Sequence, residues 1–172
     1  MRSSVLTPAP AAAHRTGASK ATLRYGSLTI PAAARGAIDA AFAYLGRDTV
    51  ERALIQRVEH SRIPHRIVTN HRGDDSYQRD THTIRWDPAS AMHTTQHGCQ
   101  SPALGLGHEL DHAAVSDGAF DILVAIPDRR FDNAEERRVI LGSERHAART
   151  LHESTRDDHC GRLYRVDTPT GR

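Results

Sequence analysis

Several residue types are scarce in this chain, and each scarcity excludes a class of protein. Only 2 of the 172 residues are cysteine, so the dense cysteine pattern of a small disulfide-stabilised secreted domain is absent. No apolar run approaches the roughly 18 residues that a membrane-spanning helix needs. The formal net charge is only +2, which gives no electrostatic argument for nucleic-acid binding. We expect a soluble protein with reduced Cys99 and Cys160 and with neither nucleic-acid nor membrane partners.

Lysine is almost absent as well, because Lys20 is the only one and every other basic residue is Arg. A GC-rich genome explains this bias most simply, and escape from lysine-directed modification inside a foreign cell is the alternative. Histidine, in contrast, occurs 12 times. Because imidazole titrates near neutral pH and binds metal ions, this abundance directs attention to proton or metal chemistry.

The composition changes at about residue 21. Residues 1–21 consist mainly of Ser, Thr, Ala, Pro and Arg, and they bury too little apolar surface to offset their ordering entropy. They also lack the apolar region of a secretory signal peptide. We predict a disordered N-terminal segment, with a secretion or translocation signal as its functional interpretation, followed by one folded domain over residues 22–172.

The hydrophobic spacing predicts helices at both ends of a short run of strands, which is typical of an α+β domain. The predicted helices span residues 32–45, 49–58, 101–117 and 133–154, with a break at Gly142, and the predicted strands span 65–69, 81–86 and 163–166. The strand that ends at Trp86 has two interpretations. It is either an exposed edge that pairs with an extended substrate or a core strand that buries Trp86.

The sequence HELDH at residues 108–112 carries the main chemical signal. Residues four apart on an α-helix project from the same face, so His108 and His112 are able to bind one zinc ion together. Glu109 then reaches a water beside the metal, which is the general-base arrangement of HExxH metallopeptidases. The alternative is a pair of surface histidines at helical spacing with an unrelated Glu between them.

A catalytic zinc usually takes three protein ligands, so a third ligand is expected elsewhere. We place it at Glu136, with Glu135 as the second choice, because a helix that begins there is able to pack across the HExxH helix. Both residues also fit a capping role, since Asn133 and Glu136 have capping-box spacing, and the Glu that does not bind zinc is able to orient a ligand His. The remaining ligand candidates are Glu144, His146 and His152.

Stabilisation of a tetrahedral oxyanion requires further donors. Arg162 and Tyr164 carry suitable guanidinium and phenol groups, and an ordinary strand with Arg and Tyr on its faces is the alternative.

Four segments together resemble the NleD-like zinc metallopeptidases, which are type III secreted effectors of bacterial pathogens. They are HELDHA at 108–113, EERRVILGSE at 135–144, THTIRWDP at 81–88 and RLY at 162–164. The resemblance, over about residues 47–166, implies a compact zincin-like fold with the HExxH helix packed on a small sheet, one Zn²⁺ and a Glu base. It also implies type III secretion into the host cytosol and cleavage of host signalling proteins, MAP kinases among them.

The chain is also similar to clostridial neurotoxin light chains in its Glu pair at 135–136 and in Arg162 and Tyr164 near the C-terminus. That similarity implies zinc ligands at His108, His112 and Glu136, with Glu109 catalytic and Arg162 and Tyr164 assisting. We therefore expect a zinc endopeptidase that acts as a monomer. The alternatives are a structural-zinc module or inactive protease-like effector that docks to a host partner, and a cytosolic zinc hydrolase with a closed pocket.

Overall fold

The computed structural model describes residues 21–172. The segment predicted to be disordered, residues 1–21, therefore lies outside the described residues except for its last one. The strands are β1 (Thr22–Tyr25), β2 (Leu28–Pro31), β3 (His65–Thr69), β4 (Ser76–Gln78), β5 (Thr83–Trp86), β6 (Ser90–Thr94), β7 (Cys99–Gln100), β8 (Pro127–Asp128), β9 (Asp132–Asn133) and β10 (Gly161–Arg165). The helices are α1 (Arg35–Leu45), α2 (Thr49–Glu59), α3 (Pro102–Ala114), α4 (Asp117–Val124), α5 (Ala134–Val139) and α6 (Arg145–Thr150).

The largest sheet has the strand order β1-β2-β3-β5-β4. The two inner pairings, β2 with β3 and β3 with β5, are parallel, whereas β1 and β4 join antiparallel at the two edges. A second antiparallel sheet has the order β10-β6-β7, and β8 and β9 form a short pair. This mixture of helices with separate sheets confirms the predicted α+β class.

Helices α1 and α2 each bury one apolar face, as the sequence predicted, and both pack against α3. Asp48 begins α2 as its N-cap, because its carboxylate accepts the N–H groups of Val50 at 2.8 Å and Glu51 at 3.0 Å. The core-facing side chains of the two helices are Ile38, Ala41, Leu45, Leu54, Ile55 and Val58.

Helix α3, which carries HELDH, packs against α1, α2 and the β4–β5 edge of the large sheet. Ser101 caps its first turn by accepting the N–H of Leu104 at 3.3 Å, and Pro102 occupies the first helical position. Almost the whole helix is buried. A helix buried on all sides is held rigidly by its neighbours, which suits it to position ligands.

The interpretation of the Trp86 strand as an exposed edge is wrong. Strand β5 lies between β3 and β4, so the edge next to α3 is formed by β4 instead. The Trp86 side chain is fully buried, and its indole N–H donates to the carbonyl of Pro102 at 2.8 Å. Trp86 therefore fixes the start of α3 against the sheet.

Two helix boundaries differ from the sequence prediction. Helix α3 ends at Ala114 rather than near Asp117, because Val115 and Ser116 have extended backbones with ψ of 154° and 145°. Asp117 then begins α4, a helix that the sequence prediction missed. The predicted helix over 133–154 is present as α5 and α6, which are joined by a π-helical turn over Ile140–Glu144 with a non-helical Gly142. Over residues 21–172, no helix combines the length and apolarity required to span a bilayer.

Candidate metal centre

Helix α3 places both HELDH histidines on one face, inside the protein. His108 and His112 are buried, and their Nε2 atoms lie 3.0 Å apart with the two rings nearly perpendicular, at 81°. Donor atoms on a tetrahedral zinc with Zn–N bonds of 2.0–2.1 Å are about 3.3 Å apart. The separation of the two nitrogens is therefore close to the one that a shared zinc ion requires.

The opposite nitrogen of each ring contacts a carboxylate. The Nδ1 of His108 lies 2.8 Å from Glu144 Oε2, and the Nδ1 of His112 lies 3.0 Å from Glu135 Oε1. A carboxylate only accepts hydrogen bonds, so each Nδ1 is positioned to donate, and a ring that is neutral in this orientation has its lone pair on Nε2. Two lone pairs that face each other at 3.0 Å repel unless a proton or a metal ion lies between them.

Glu136 completes this arrangement from the first turn of α5. Its Oε2 lies 2.9 Å from His108 Nε2, and its Oε1 lies 3.3 Å from His112 Nε2. Asn133 begins the helix by accepting the N–H groups of Glu135 and Glu136 at 2.9 Å and 3.0 Å. Successive helical residues point about 100° apart, so Glu136 approaches the Nε2 atoms while Glu135 contacts the outer nitrogen of His112. The structure thus directs Glu136 to the inner nitrogens of the two histidines and Glu135 to an outer one.

Arginines support the outer carboxylates. Arg138 donates to Glu135 at 2.6 Å and to Asp111 at 2.8 Å, and the buried Arg156 donates to Glu144 at 2.7 Å. Such partners hold a ligand's orientation and tune its basicity. Arg156 lies in the irregular segment after α6, where no periodic pattern or motif in the sequence pointed to it.

The carboxylates give the centre a strongly negative potential. Burial opposes the charged form of His108, yet hydrogen bonds to Glu136 and Glu144 raise the pKa of His108 to about 10. Burial also opposes ionisation of Glu135, but hydrogen bonds from Arg138 and His112 lower its pKa to about 2. Hydrogen bonds from the two histidines likewise keep the pKa of Glu136 well below its usual range, despite burial. A site that stabilises imidazolium so strongly also favours a divalent cation.

Glu109 lies in the cleft beside His108. Its side chain is buried, and no hydrogen bond or ion pair joins its carboxylate to another residue of the described range 21–172. Burial raises the pKa of Glu109, while the charges of His108 and His112 act in the opposite direction. A carboxylate that is not used by the fold and that faces a cleft remains available for a proton-transfer role.

His159 is a residue of the centre to which the sequence reasoning gave no role. Its Nε2 lies 3.4 Å from Glu136 Oε2, and its Nδ1 lies 2.6 Å from Asp132 Oδ2. Potential ligand atoms of His108, Glu136 and His159 all lie within 4.8 Å of one another. His159 lies three residues after Arg156, in a segment without regular structure. No sequence pattern there pointed to a role at the centre.

Arg162 and Tyr164, which we expected beside the metal, do not line the cleft that contains His108 and Glu109. Residues alternate between the two faces of a strand, and Gly161 and Leu163 of β10 line the cleft. Arg162 is exposed and lines a separate depression with His93. The Tyr164 ring stacks on His93 at 4.2 Å, away from the cleft. Their spacing of two puts both side chains on the strand face opposite to that of Gly161 and Leu163.

The remaining ligand candidates lie elsewhere. His146 contacts Asp48 at 2.8 Å, and His152 is exposed. Cys99 and Cys160 are free thiols, and Cys99 contacts His93 at 3.2 Å. Glu144, which the sequence also offered as a ligand, contacts the outer nitrogen of His108 instead.

The geometry predicts different losses for the two adjacent acidic residues. Glu136→Gln removes an oxygen ligand, so we expect zinc affinity to fall by more than 10²-fold. Glu135→Gln leaves the Nε2 side intact and changes only the support of His112, for which losses of about 10–100-fold are typical. Competition with a chromophoric zinc chelator measures both. A larger loss from Glu135→Gln than from Glu136→Gln would contradict this assignment.

The cleft next to the centre has a volume of about 280 Å³. Its lining residues are Gly73, Asp75, Ser90, Met92, Gln100, Ser101, Gly105, His108, Glu109, Glu144, Arg156, His159, Gly161 and Leu163. Comparison of the chain with protein-family models, with curated proteins and with solved structures found no match. The function is therefore argued from the site itself.

Proposed function

We propose that this chain is a zinc-dependent endopeptidase. One observation carries the proposal: the Nε2 atoms of His108 and His112 converge with the Glu136 carboxylate. His108 also lines a cleft together with Glu109, whose carboxylate has no partner among residues 21–172. This donor set of two imidazoles and one carboxylate fits zinc and leaves a fourth position for water. Zinc bound by His108, His112 and Glu136 supplies a Lewis acid and an activated water.

The residues of the chain then have separate tasks. Glu109 accepts a proton from the attacking water and passes it to the leaving amine, because its carboxylate faces the cleft and has no competing partner among the residues that the structure describes. His159, oriented by Asp132 at 2.6 Å, faces the same cleft and is placed to donate a hydrogen bond to the developing oxyanion. Glu144 and Glu135 hold the two ligand rings in the required tautomer.

An extended protein segment is the proposed substrate. β4 is an edge strand of the large sheet and packs beside α3. A free edge strand binds an extended peptide through main-chain hydrogen bonds, so a substrate on β4 would run past Glu109. The resemblance to NleD-like effectors suggests host signalling proteins, including MAP kinases, as substrates, and delivery to the host cytosol by type III secretion. The near absence of lysine is compatible with that destination.

Metal dependence is the direct test of the proposal. Purified protein is expected to contain about one zinc per chain, measured by mass spectrometry of metals. Incubation with host-cell lysate should generate new protein N-termini. A chelator should abolish them and added Zn²⁺ should restore them, because the proposed hydrolysis depends on the metal as a Lewis acid. Zinc-free protein, or cleavage that a chelator leaves unchanged, would contradict the proposal.

A structural zinc site is the second candidate, and His159 is the observation that favours it. Its nearness to Glu136 would allow it to fill the fourth position, and a site with four protein ligands leaves no room for water. His159→Ala separates the two functions. A structural site would lose zinc affinity, whereas an endopeptidase would keep its zinc and lose turnover.

A further inference from the structure

Asp75 contributes a second carboxylate to the cleft, from the loop between β3 and β4. Its Oδ1 accepts the N–H of Asp87 at 2.7 Å, which fixes the side chain. Its Oδ2 has no hydrogen-bond partner among residues 21–172 and faces α3, where a Cβ on Gly105 would come within 3.2 Å of it. Gly105 lies one helical turn before Glu109, so Asp75 lies close to the position where the proposed reaction occurs.

The neighbouring carboxylates have cationic partners, but Asp75 has none within the described part of the chain. Asp74 pairs with Arg85 at 3.4 Å, and Asp87 pairs with Arg165 at 2.6 Å. Burial, together with the charges of Glu109, Asp87 and Asp74, raises the pKa of Asp75 to about 8. A partly buried carboxylate in this environment is stabilised when a cation enters the cleft.

The walls around Asp75 suit a long, slender side chain. Met92 and Leu163 supply apolar surface, and Gly73 and Gly161 supply backbone without side chains. A Cβ on Gly73 would lie 2.7 Å from Leu163, and a Cβ on Gly161 would lie 2.2 Å from Met92, so both glycines allow this close packing. The methylenes of Arg or Lys pack well on apolar walls while the charged head reaches a carboxylate.

We propose that Asp75 selects substrates that carry Arg or Lys beside the scissile bond, by pairing with the cationic head group in this cleft. This inference rests on the proposed endopeptidase function, because a residue selects substrates only if the cleft next to Glu109 cleaves them. Binding of the cation, however, requires no cleavage. The recognition is therefore measurable on its own.

The test uses zinc-loaded Glu109→Gln protein and two small probes at pH 8. Acetyl-arginine amide carries the charge, and acetyl-citrulline amide has nearly the same shape without it. NMR titration should give about tenfold tighter binding of the arginine probe, and Asp75→Asn added to the Glu109→Gln protein should remove that difference. Asp74→Asn is the matched control and should preserve it, because Asp74 is already paired with Arg85.

Equal binding of the two probes, binding of neither, or an unchanged preference after Asp75→Asn would overturn the proposal. Thermal melting of the variants verifies that they fold. A positional peptide library cleaved by wild-type protein should show the same basic preference, mainly in KM. If peptides are cleaved without a preference for basic residues, this inference fails and the endopeptidase function stands. If the probes bind as expected but no peptide is cleaved, the endopeptidase function fails and the recognition of a cation by Asp75 stands.

Discussion

Glu109→Gln is expected to reduce peptide cleavage by about 10²–10⁴-fold, the usual contribution of a positioned general base, while the protein keeps its zinc. The amide has nearly the same size as the carboxylate but is unable to accept the proton of the attacking water. The proposed zinc ligands lie on other residues, and Glu109 makes no hydrogen bond or ion pair with another residue of the 21–172 range. Removing its charge therefore breaks no described contact of the fold. The measurement is kcat on a peptide identified from lysate, with metal content determined on the same preparation.

Glu136→Gln is the matched control for this result. It changes the same functional group on a residue that contacts both Nε2 atoms, so it should lose zinc and activity together. Glu109→Gln should instead lose activity while it retains zinc. Retention of near wild-type cleavage by Glu109→Gln would exclude the general-base role and the mechanism built on it.

The second large effect concerns Glu51, a fully buried residue on α2. Its two carboxylate oxygens have no hydrogen-bond partner in the described part of the chain, and they occupy the space left by the missing side chain of Gly107, where a Cβ would lie 2.5 Å from Oε2. Burial, with the nearby charges of Asp111, Asp48 and Glu144, raises the pKa of Glu51 from 4.5 to about 8. The folded protein therefore keeps Glu51 protonated at neutral pH.

In the wild-type protein, Glu51 lowers the free energy of unfolding by an amount that grows with pH. Glu51→Gln should abolish this pH-dependent loss. Below about pH 4.5, Glu51 is protonated in both the folded and the unfolded state and has no effect. Between 4.5 and 8 only the unfolded state releases the proton, so the wild-type free energy of unfolding falls by up to about 1.4 kcal/mol per pH unit from this group. Between pH 5 and 7 the variant should gain about 2–3 kcal/mol relative to wild type.

Urea unfolding of the two zinc-loaded proteins at both pH values measures this difference. Glu59→Gln is the matched control, because it removes a carboxylate from a less buried position of the same helix. A constant stability difference between wild type and Glu51→Gln across this range would show that Glu51 ionises as readily in the folded protein as in the unfolded chain.

The central part of the site could be predicted from sequence because it depends on helical periodicity. Four-residue spacing forces His108 and His112 to one face, and the capping residue Asn133 fixes where α5 begins. Which of the two acidic residues faces the Nε2 atoms depended on the packing angle of α5 across α3. Sequence spacing contains no information about that angle.

The rest of the site comes from segments without such periodicity. Asp75, Arg156 and His159 lie in loops, where tertiary contacts rather than local pattern decide the direction of a side chain. Arg162 and Tyr164 failed for a related reason: the strand was predicted, but which of its faces meets the cleft depends on the register of β10 with β6. Helix α4 was missed because the predicted helix ended at about residue 117, which is where α4 begins after the extended backbone at Val115 and Ser116.

The groups around the candidate metal centre come from α3 and from residues 134–159, which are distant from α3 in sequence. Histidines one turn apart on an isolated helix would bind a metal weakly, whereas the complete set exists only in the assembled domain. A metal ion that binds the complete set would therefore stabilise the folded domain relative to the unfolded chain.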